Sequence, residues 1–265
     1  MRVLVTGSAG SIGRVVCPGL VDRGHEVVGF DLVPEPMGFD GTWHTGDCAD
    51  VDTVFAAFDA QPLDGVVHLA GQPNEASLPD SLTSHTVTTA ALLDAMVAHK
   101  VGRIAYASSN HAVGRTPRED RISADSRPRP DTFYGVGKVA AEALLSLYAD
   151  RYAIDAVACR IGSFQERPQS VRHLSTWLSP DDCVRMFHAA LTAPAPGYAV
   201  LYGISANTRA WWDLQPGRDL GYEPQDDAEE FADAVPTGPG DEVEAAHVGG
   251  PFVTEEFYRS ALDGS

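Results

Sequence analysis

The chain has 265 residues and 44% hydrophobic content, enough for a sizeable folded core, and no stretch approaches the roughly 18 uninterrupted apolar residues of a membrane span. Its formal charge of −18, from 19 Lys and Arg against 37 Asp and Glu, argues against nucleic acid or anionic membranes as partners, because those surfaces need clustered cations to displace counterions. Cys17, Cys48, Cys159 and Cys183 lie far apart with no Cys/His cluster at metal spacing, so they read as reduced, buried thiols and no metal is expected.

The chain opens into Val3-Leu4-Val5 with no basic segment ahead of it, which predicts neither a secretory signal nor an anchor, and a cytoplasmic location. Strand-like apolar runs alternate with helical segments at Arg2 to Thr6, Glu26 to Phe30, Thr42 to Thr45, Gly65 to Ala70, Arg103 to Ala107, Ala156 to Arg160 and Ala199 to Tyr202. That alternation predicts an α/β architecture with a doubly wound parallel sheet, a Rossmann fold. The near-continuous Val, Ile, Leu and Ala composition predicts strands covered by helices on both faces.

After the first run comes Thr6-Gly7-Ser8-Ala9-Gly10-Ser11-Ile12-Gly13, a GxxGxxG spacing that opens a helix. Glycines let a backbone approach a pyrophosphate, and a helix N-terminus offers free N–H donors and positive potential. Gly7, Gly10, Ser11, Ile12 and Gly13 are therefore the expected phosphate contacts. The second strand ends at Asp31, 24 residues past Gly7, where a carboxylate accepts from both adenosine ribose hydroxyls and repels a 2′-phosphate. Leu32 and Val33 bring no compensating cation, and Arg14 is expected in solvent, so NAD is favoured over NADP. Asp47, in Gly46-Asp47-Cys48, falls where a third strand ends and can meet the adenine edge, with helix capping as the alternative.

Ser109 ends the fifth strand in Ala107-Ser108-Ser109-Asn110-His111, and strand carboxyl ends are where ligands sit in such sheets. Tyr134-Gly135-Val136-Gly137-Lys138 precedes an amphipathic run from Val139 to Tyr152. On a helix, Tyr134 and Lys138 share one face at i and i+4, so the ammonium lies beside the phenol and favours phenolate. Tyr134 can then accept a hydroxyl proton as hydride leaves. Further on, Ser179-Pro180-Asp181-Asp182 predicts a capped helix start, with an end near Thr192. Residues 235–244 read as a linker, and Phe252, Phe257 and Tyr258 are expected to pack back on the body.

A glycine-rich turn, a strand-end serine 25 residues before a tyrosine, and YxxxK in this order resemble the extended branch of the short-chain dehydrogenase/reductase superfamily across essentially the whole chain. Within that branch the chain is similar to the uronate dehydrogenases, which oxidise glucuronate or galacturonate at the anomeric carbon to an aldarolactone with NAD. The matching segments are Ser108-Ser109-Asn110-His111, Tyr134 to Lys138, Arg160-Ile161-Gly162-Ser163, Arg172-His173-Leu174-Ser175-Thr176-Trp177, and Ser205-Ala206-Asn207 followed by Trp211-Trp212-Asp213. The resemblance implies a catalytic set of Tyr134, Lys138 and Ser109, with Ser109 and Tyr134 on the anomeric hydroxyl. It implies that Asn110, His111 and Ser163 bond other sugar hydroxyls and that Arg172 pairs with the carboxylate. Arg suits that last task because its fork matches a carboxylate, and Arg167 is the nearby competitor. Cys48, Leu69, Ala70, Gly71, Lys138 and Ile161 are the implied further cofactor contacts, and a homo-oligomer is the implied assembly.

Residues 1–163 are then expected to form the NAD-binding domain. Residues 164–265 are expected to form a small substrate-binding subdomain, one strand of which, about 198–205, rejoins the main sheet. So little chain after Ser163 suits a free sugar better than a nucleotide sugar. Two positions depart from the uronate pattern: Pro73 stands where those enzymes carry a serine, and His85 where an asparagine commonly anchors a proton-relay water. Gln72 and Asn74 are the candidate replacements for the missing hydroxyl, and Asn74 is counted among the substrate contacts. A neutral aldose or a sugar phosphate therefore stays open as substrate, and an epimerase as a second class. A non-enzymatic dinucleotide sensor is disfavoured by the intact Tyr/Lys pair.

Overall fold

The computed structural model describes residues 1–119 and 121–262. In chain order the first half runs β1 (Arg2–Thr6), α1 (Gly13–Val21), β2 (Glu26–Asp31), β3 (Thr42–Thr45), α2 (Val51–Asp59), β4 (Gly65–His68), α3 (Leu78–Leu82), a π-helical turn (Thr83–Val87), α4 (Thr88–His99) and β5 (Arg103–Ser109). The second half runs α5 (Phe133–Tyr152), β6 (Asp155–Ile161), β7 (Ser163–Phe164), α6 (His173–Thr176), β8 (Trp177–Leu178), α7 (Pro180–Thr192) and β9 (Tyr198–Gly203), followed by short helical turns to the end. Seven strands form one parallel sheet in the order β3-β2-β1-β4-β5-β6-β9, and β7 and β8 pair separately beside it. The order reverses between β1 and β4, which opens a crevice at their carboxyl ends.

The expected doubly wound sheet is present. Its strands differ from the predicted ones only at their ends: β5 continues to Ser109 and β4 stops at His68. Each central strand is buried on both faces. Val3 and Val5 of β1 join a core with Val16 and Leu20 of α1 and Phe187 of α7. Leu4 points the other way, among Val54 of α2, Leu92 of α4 and Leu145 of α5. The same division separates Val157 and Cys159 from Ala156 and Ala158 on β6, which is why these strands read as unbroken apolar runs. All four cysteines are free and buried in these layers or beside them.

The chain beyond residue 163 contributes to this body directly. β9 pairs in register with β6, from Ala156 opposite Tyr198 to Ile161 opposite Gly203. α7 begins as its sequence signals: Ser179 accepts from the Asp182 N–H at 2.9 Å, and Pro180 opens the first turn. Trp177, Trp211 and Trp212 are buried, and the last two pack with Tyr202 and Ile204 below the sheet's β9 edge. No helix among the described residues is long and apolar enough to cross a membrane.

One ion pair lies inside the sheet's covering layer. Glu142 of α5 accepts from Arg160 of β6 through both oxygens, at 3.0 and 2.8 Å, and from the Ser108 hydroxyl at 2.5 Å. Both side chains are about 5% exposed or less. Removing one member strands a charge in low dielectric, so Arg160→Met should cost about 3–5 kcal/mol in urea unfolding. The double variant Arg160→Met/Glu142→Leu should recover much of that loss.

Candidate active site

The crevice is a cavity of about 1070 Å³ that runs from the end of β2 across β1 and β4 to the loops after β5 and β6. Gly7, Gly10, Ser11, Ile12 and Gly13 form its floor at the carboxyl end of β1. Gly7 has φ +70°, and a Cβ there would sit 2.8 Å from the Ala70 backbone nitrogen, so the turn and the loop after β4 meet backbone to backbone. A Cβ on Gly13 would collide with the Gly7 carbonyl, which lets α1 start directly under the turn. No side chain caps that start; the Arg14 and Val15 N–H groups are taken by the Gly10 and Ile12 carbonyls, which leaves those of Ser11, Ile12 and Gly13 for a ligand. This cradle fits the pyrophosphate that the sequence predicts.

At the adenosine end, Asp31 accepts from the Ala9 N–H at 2.9 Å and the Val33 N–H at 3.3 Å, which holds the carboxylate over the glycine turn. Asp47 accepts from the Ala49 N–H at 2.8 Å, and Cys48 is buried behind it; both line the cavity. Arg14 bonds the Ala9 carbonyl and is exposed. Leu69, Ala70, Gly71 and Ile161 line the middle of the cleft.

The catalytic candidates converge there. Thr132 caps α5 by accepting from the Gly135 N–H at 3.0 Å. The Glu75 carboxylate reaches over from the loop after β4 and accepts from the Phe133 and Tyr134 N–H groups at 2.8 and 3.0 Å. This fixes Tyr134 in the first turn, one helical turn before Lys138. Lys138 is 4% exposed and donates to the Ala107 carbonyl at 2.7 Å, with its Nζ 4.8 and 5.4 Å from the ring centres of Tyr106 and Tyr134. Burial pushes the Lys138 pKa down to about 7, against the opposing pull of Glu142. Burial likewise pushes the Tyr134 phenol up to about 12, with Ser109 beside it acting the other way and the Asp131 charge adding to the rise. Lys138 is expected to favour phenolate, yet in the protein alone burial leaves the phenol raised. His85, on the π-helical turn, meets the Tyr134 ring edge to face at 4.9 Å, and burial, then Lys138, lowers its pKa to about 2.

The far end gathers Ser109, Asn110, His111, Ser163 and Arg172 along one wall. Arg172 donates to the Ser163 and Thr176 hydroxyls at 3.3 and 3.5 Å and to the Val248 carbonyl at 2.6 Å. Asn110 Nδ2 donates to the same carbonyl at 3.2 Å. Among the described residues no carboxylate pairs with Arg172. Desolvation lowers its pKa to about 10, which still leaves a cation at neutral pH. The tail comes back as expected: Phe252 lines the cavity and meets His111 edge to face at 4.7 Å, and Tyr258 accepts from Arg115.

Asn74 is the predicted contact that the structure leaves out. It is exposed and outside the cavity, because the loop turns it outward while Gln72 and Pro73 face in. The sequence did not mark Glu75, Asp131, Gln165 or His173 for the site, and it brought Phe252 back to the body without placing it in the cavity. Gln165 and His173 line the same wall beside Arg172.

A model of the NAD dependent epimerase/dehydratase family matches residues 3–165. Uronate dehydrogenase of Agrobacterium fabrum is 36% identical over 267 residues, covering 98% of this chain and 99% of that one. A crystal structure of uronate dehydrogenase from Agrobacterium tumefaciens, a mutant complexed with NAD, superposes with a TM-score of 0.89 at 35% identity, covering 98% and 99%. Glucuronic acid dehydrogenase from Chromohalobacter salexigens gives 0.87 at 36%, covering 95% and 96%.

The buried ammonium of Lys138 has a measurable consequence. Its cost to folding is full below pH 7, where it is charged, and fades as pH rises toward the free-lysine value of about 10.4. Lys138→Met should therefore raise the melting temperature of the ligand-free protein more at pH 6 than at pH 9. An equal gain at both values would mean that the lysine is not desolvated.

Proposed function

The chain belongs to the NAD dependent epimerase/dehydratase family, and we propose that within it this protein oxidises a hexuronic acid, glucuronate or galacturonate, at C1 to the aldarolactone with NAD. The observation that carries the substrate is Arg172: a guanidinium on the wall of the cavity that holds Tyr134, with hydroxyl and carbonyl partners but no carboxylate in direct ion pair among the described residues. Glu244 and Asp131 act on its charge without contact, and a substrate carboxylate supplies the missing direct partner. The named activities of the uronate and glucuronic acid dehydrogenases similar to it support the same reading.

NAD, when bound, supplies the hydride acceptor and a positive charge beside the phenol. The glycine turn and the N–H groups at the start of α1 would hold its pyrophosphate, and Asp31 would hold the adenosine ribose. Tyr134 takes the proton from the anomeric hydroxyl while Ser109 orients that hydroxyl. Lys138, anchored on Ala107, would hold the nicotinamide ribose and lower the cost of phenolate. Ser163 and Thr176 support the Arg172 fork, so the carboxylate is received by a side chain already aimed. Gln165, Arg172, His173 and Phe252, from beyond residue 163, join Ser109, Asn110, His111 and Ser163 in this substrate wall.

Tyr134→Phe should cut NADH formation by roughly 10²–10⁴-fold or more, while NAD affinity from fluorescence titration stays within a few-fold. Retained turnover would sink the role given to the phenol. Arg172→Ala should raise the KM for glucuronate and galacturonate by about 10²-fold and change that for glucose or galactose far less. Equal effects would remove Arg172 from carboxylate recognition. Free NADH should accumulate with turnover, whereas an epimerase would retain its reduced cofactor.

A further inference from the structure

We infer that Asp131 is a positioning residue of this site: by accepting from one nitrogen of His111 it sets the imidazole tautomer and makes His111 a hydrogen-bond acceptor toward the sugar. The inference rests on the proposed sugar oxidation and extends it to the orientation of the substrate.

His111 Nδ1 lies 2.9 and 3.0 Å from the two Asp131 oxygens. A carboxylate only accepts, so Nδ1 carries the proton. The Asp131 side chain has no solvent exposure, and its Oδ1 also accepts from the Thr132 hydroxyl at 3.2 Å. It is wedged where a Cβ on Gly114 or Gly249 would collide with it, and those two glycines are bonded backbone to backbone at 2.8 Å. The carboxylate therefore cannot swing away. The imidazole is also pinned by Phe252 at 4.7 Å and Tyr134 at 5.8 Å, both edge to face.

His111 lines the cavity, and its Nε2 makes no hydrogen bond to the described residues. With one proton held on Nδ1, an Nε2 without a second proton turns a lone pair to the cavity. That edge receives a hydroxyl and disfavours a carboxylate, which is left to Arg172. Asp131 thus separates the two ends of a sugar acid without touching it. The signal was hidden in the sequence because Asp131 is one acid among 37 Asp and Glu.

The test combines nitrogen-15 spectra of histidine-labelled full-length protein with kinetics on whichever sugar the wild type oxidises. His111 is assigned by its loss in His111→Gln. In the wild type its signals should show the Nδ1–H tautomer, and in Asp131→Asn that preference should be lost. Asp131→Asn should raise the sugar KM at least about tenfold, leave NAD affinity unchanged, and add little to His111→Gln in the double variant, as residues acting through one another do. An Nε2–H or charged ring in the wild type overturns the inference, as do effects of the two substitutions that multiply. If Asp131→Asn does not fold, the wild-type tautomer decides alone. That readout needs no sugar, so a substrate panel showing no uronate preference would defeat the uronate reading and leave this result standing.

Discussion

The site depends on an ammonium placed where water cannot reach it. Lys138 meets one backbone carbonyl, at Ala107, and the faces of Tyr106 and Tyr134. That carbonyl belongs to the last turns of β5, so the contact registers α5 against the carboxyl end of the sheet. Tyr134, one helical turn earlier, then stands over Ser109 at the strand's end. Glu142 lies one turn later on the same helix and answers the ammonium with a carboxylate that Arg160 of β6 neutralises. His68 and His85, both kept neutral by burial and then by Lys138, complete a neighbourhood in which a single cation prevails. In such surroundings a small addition of charge moves protons that bulk water would leave alone.

The parts of this arrangement built from consecutive residues were legible in the chain. The glycine turn needs close backbone approach at Gly7, Tyr134 and Lys138 need only helical spacing, and β1, β5 and β6 show their two-sided burial as apolar runs. Asp31 follows from where β2 must end. What pattern reading could not reach are contacts between distant segments. Glu75 caps a helix 58 residues away, and the Val248 carbonyl accepts from Asn110 and Arg172 across 138 and 76 residues. Asn74 shows the converse: polar and next to Pro73, it was the natural substitute for a lost hydroxyl, yet the loop that delivers Glu75 to α5 turns it to solvent.

Charge is distributed unevenly between the inside and the outside. Of two lysines, Lys138 is inside, and Arg160 and Arg172 bury their guanidinium groups in structure or site. The cations that remain outside are outnumbered, with 19 against 37 acids over the whole chain. Within the cleft Lys138 and Arg172 stand at separate places from the acids Asp31, Asp47 and Asp80, each cation where an anionic or polar group of a ligand is expected. Specificity for anions comes from that placement rather than from net charge.

The returning tail bears on how the protein is made. The residues that line the dinucleotide half of the cleft lie within residues 7–161, although α1 beneath them packs on Phe187 of α7. The sugar half lacks its Val248 carbonyl and its Phe252 wall until residues 248–252 have been synthesised and folded back. Residues 248–252 thus work as a keystone that sets a wall built of residues far earlier in the chain.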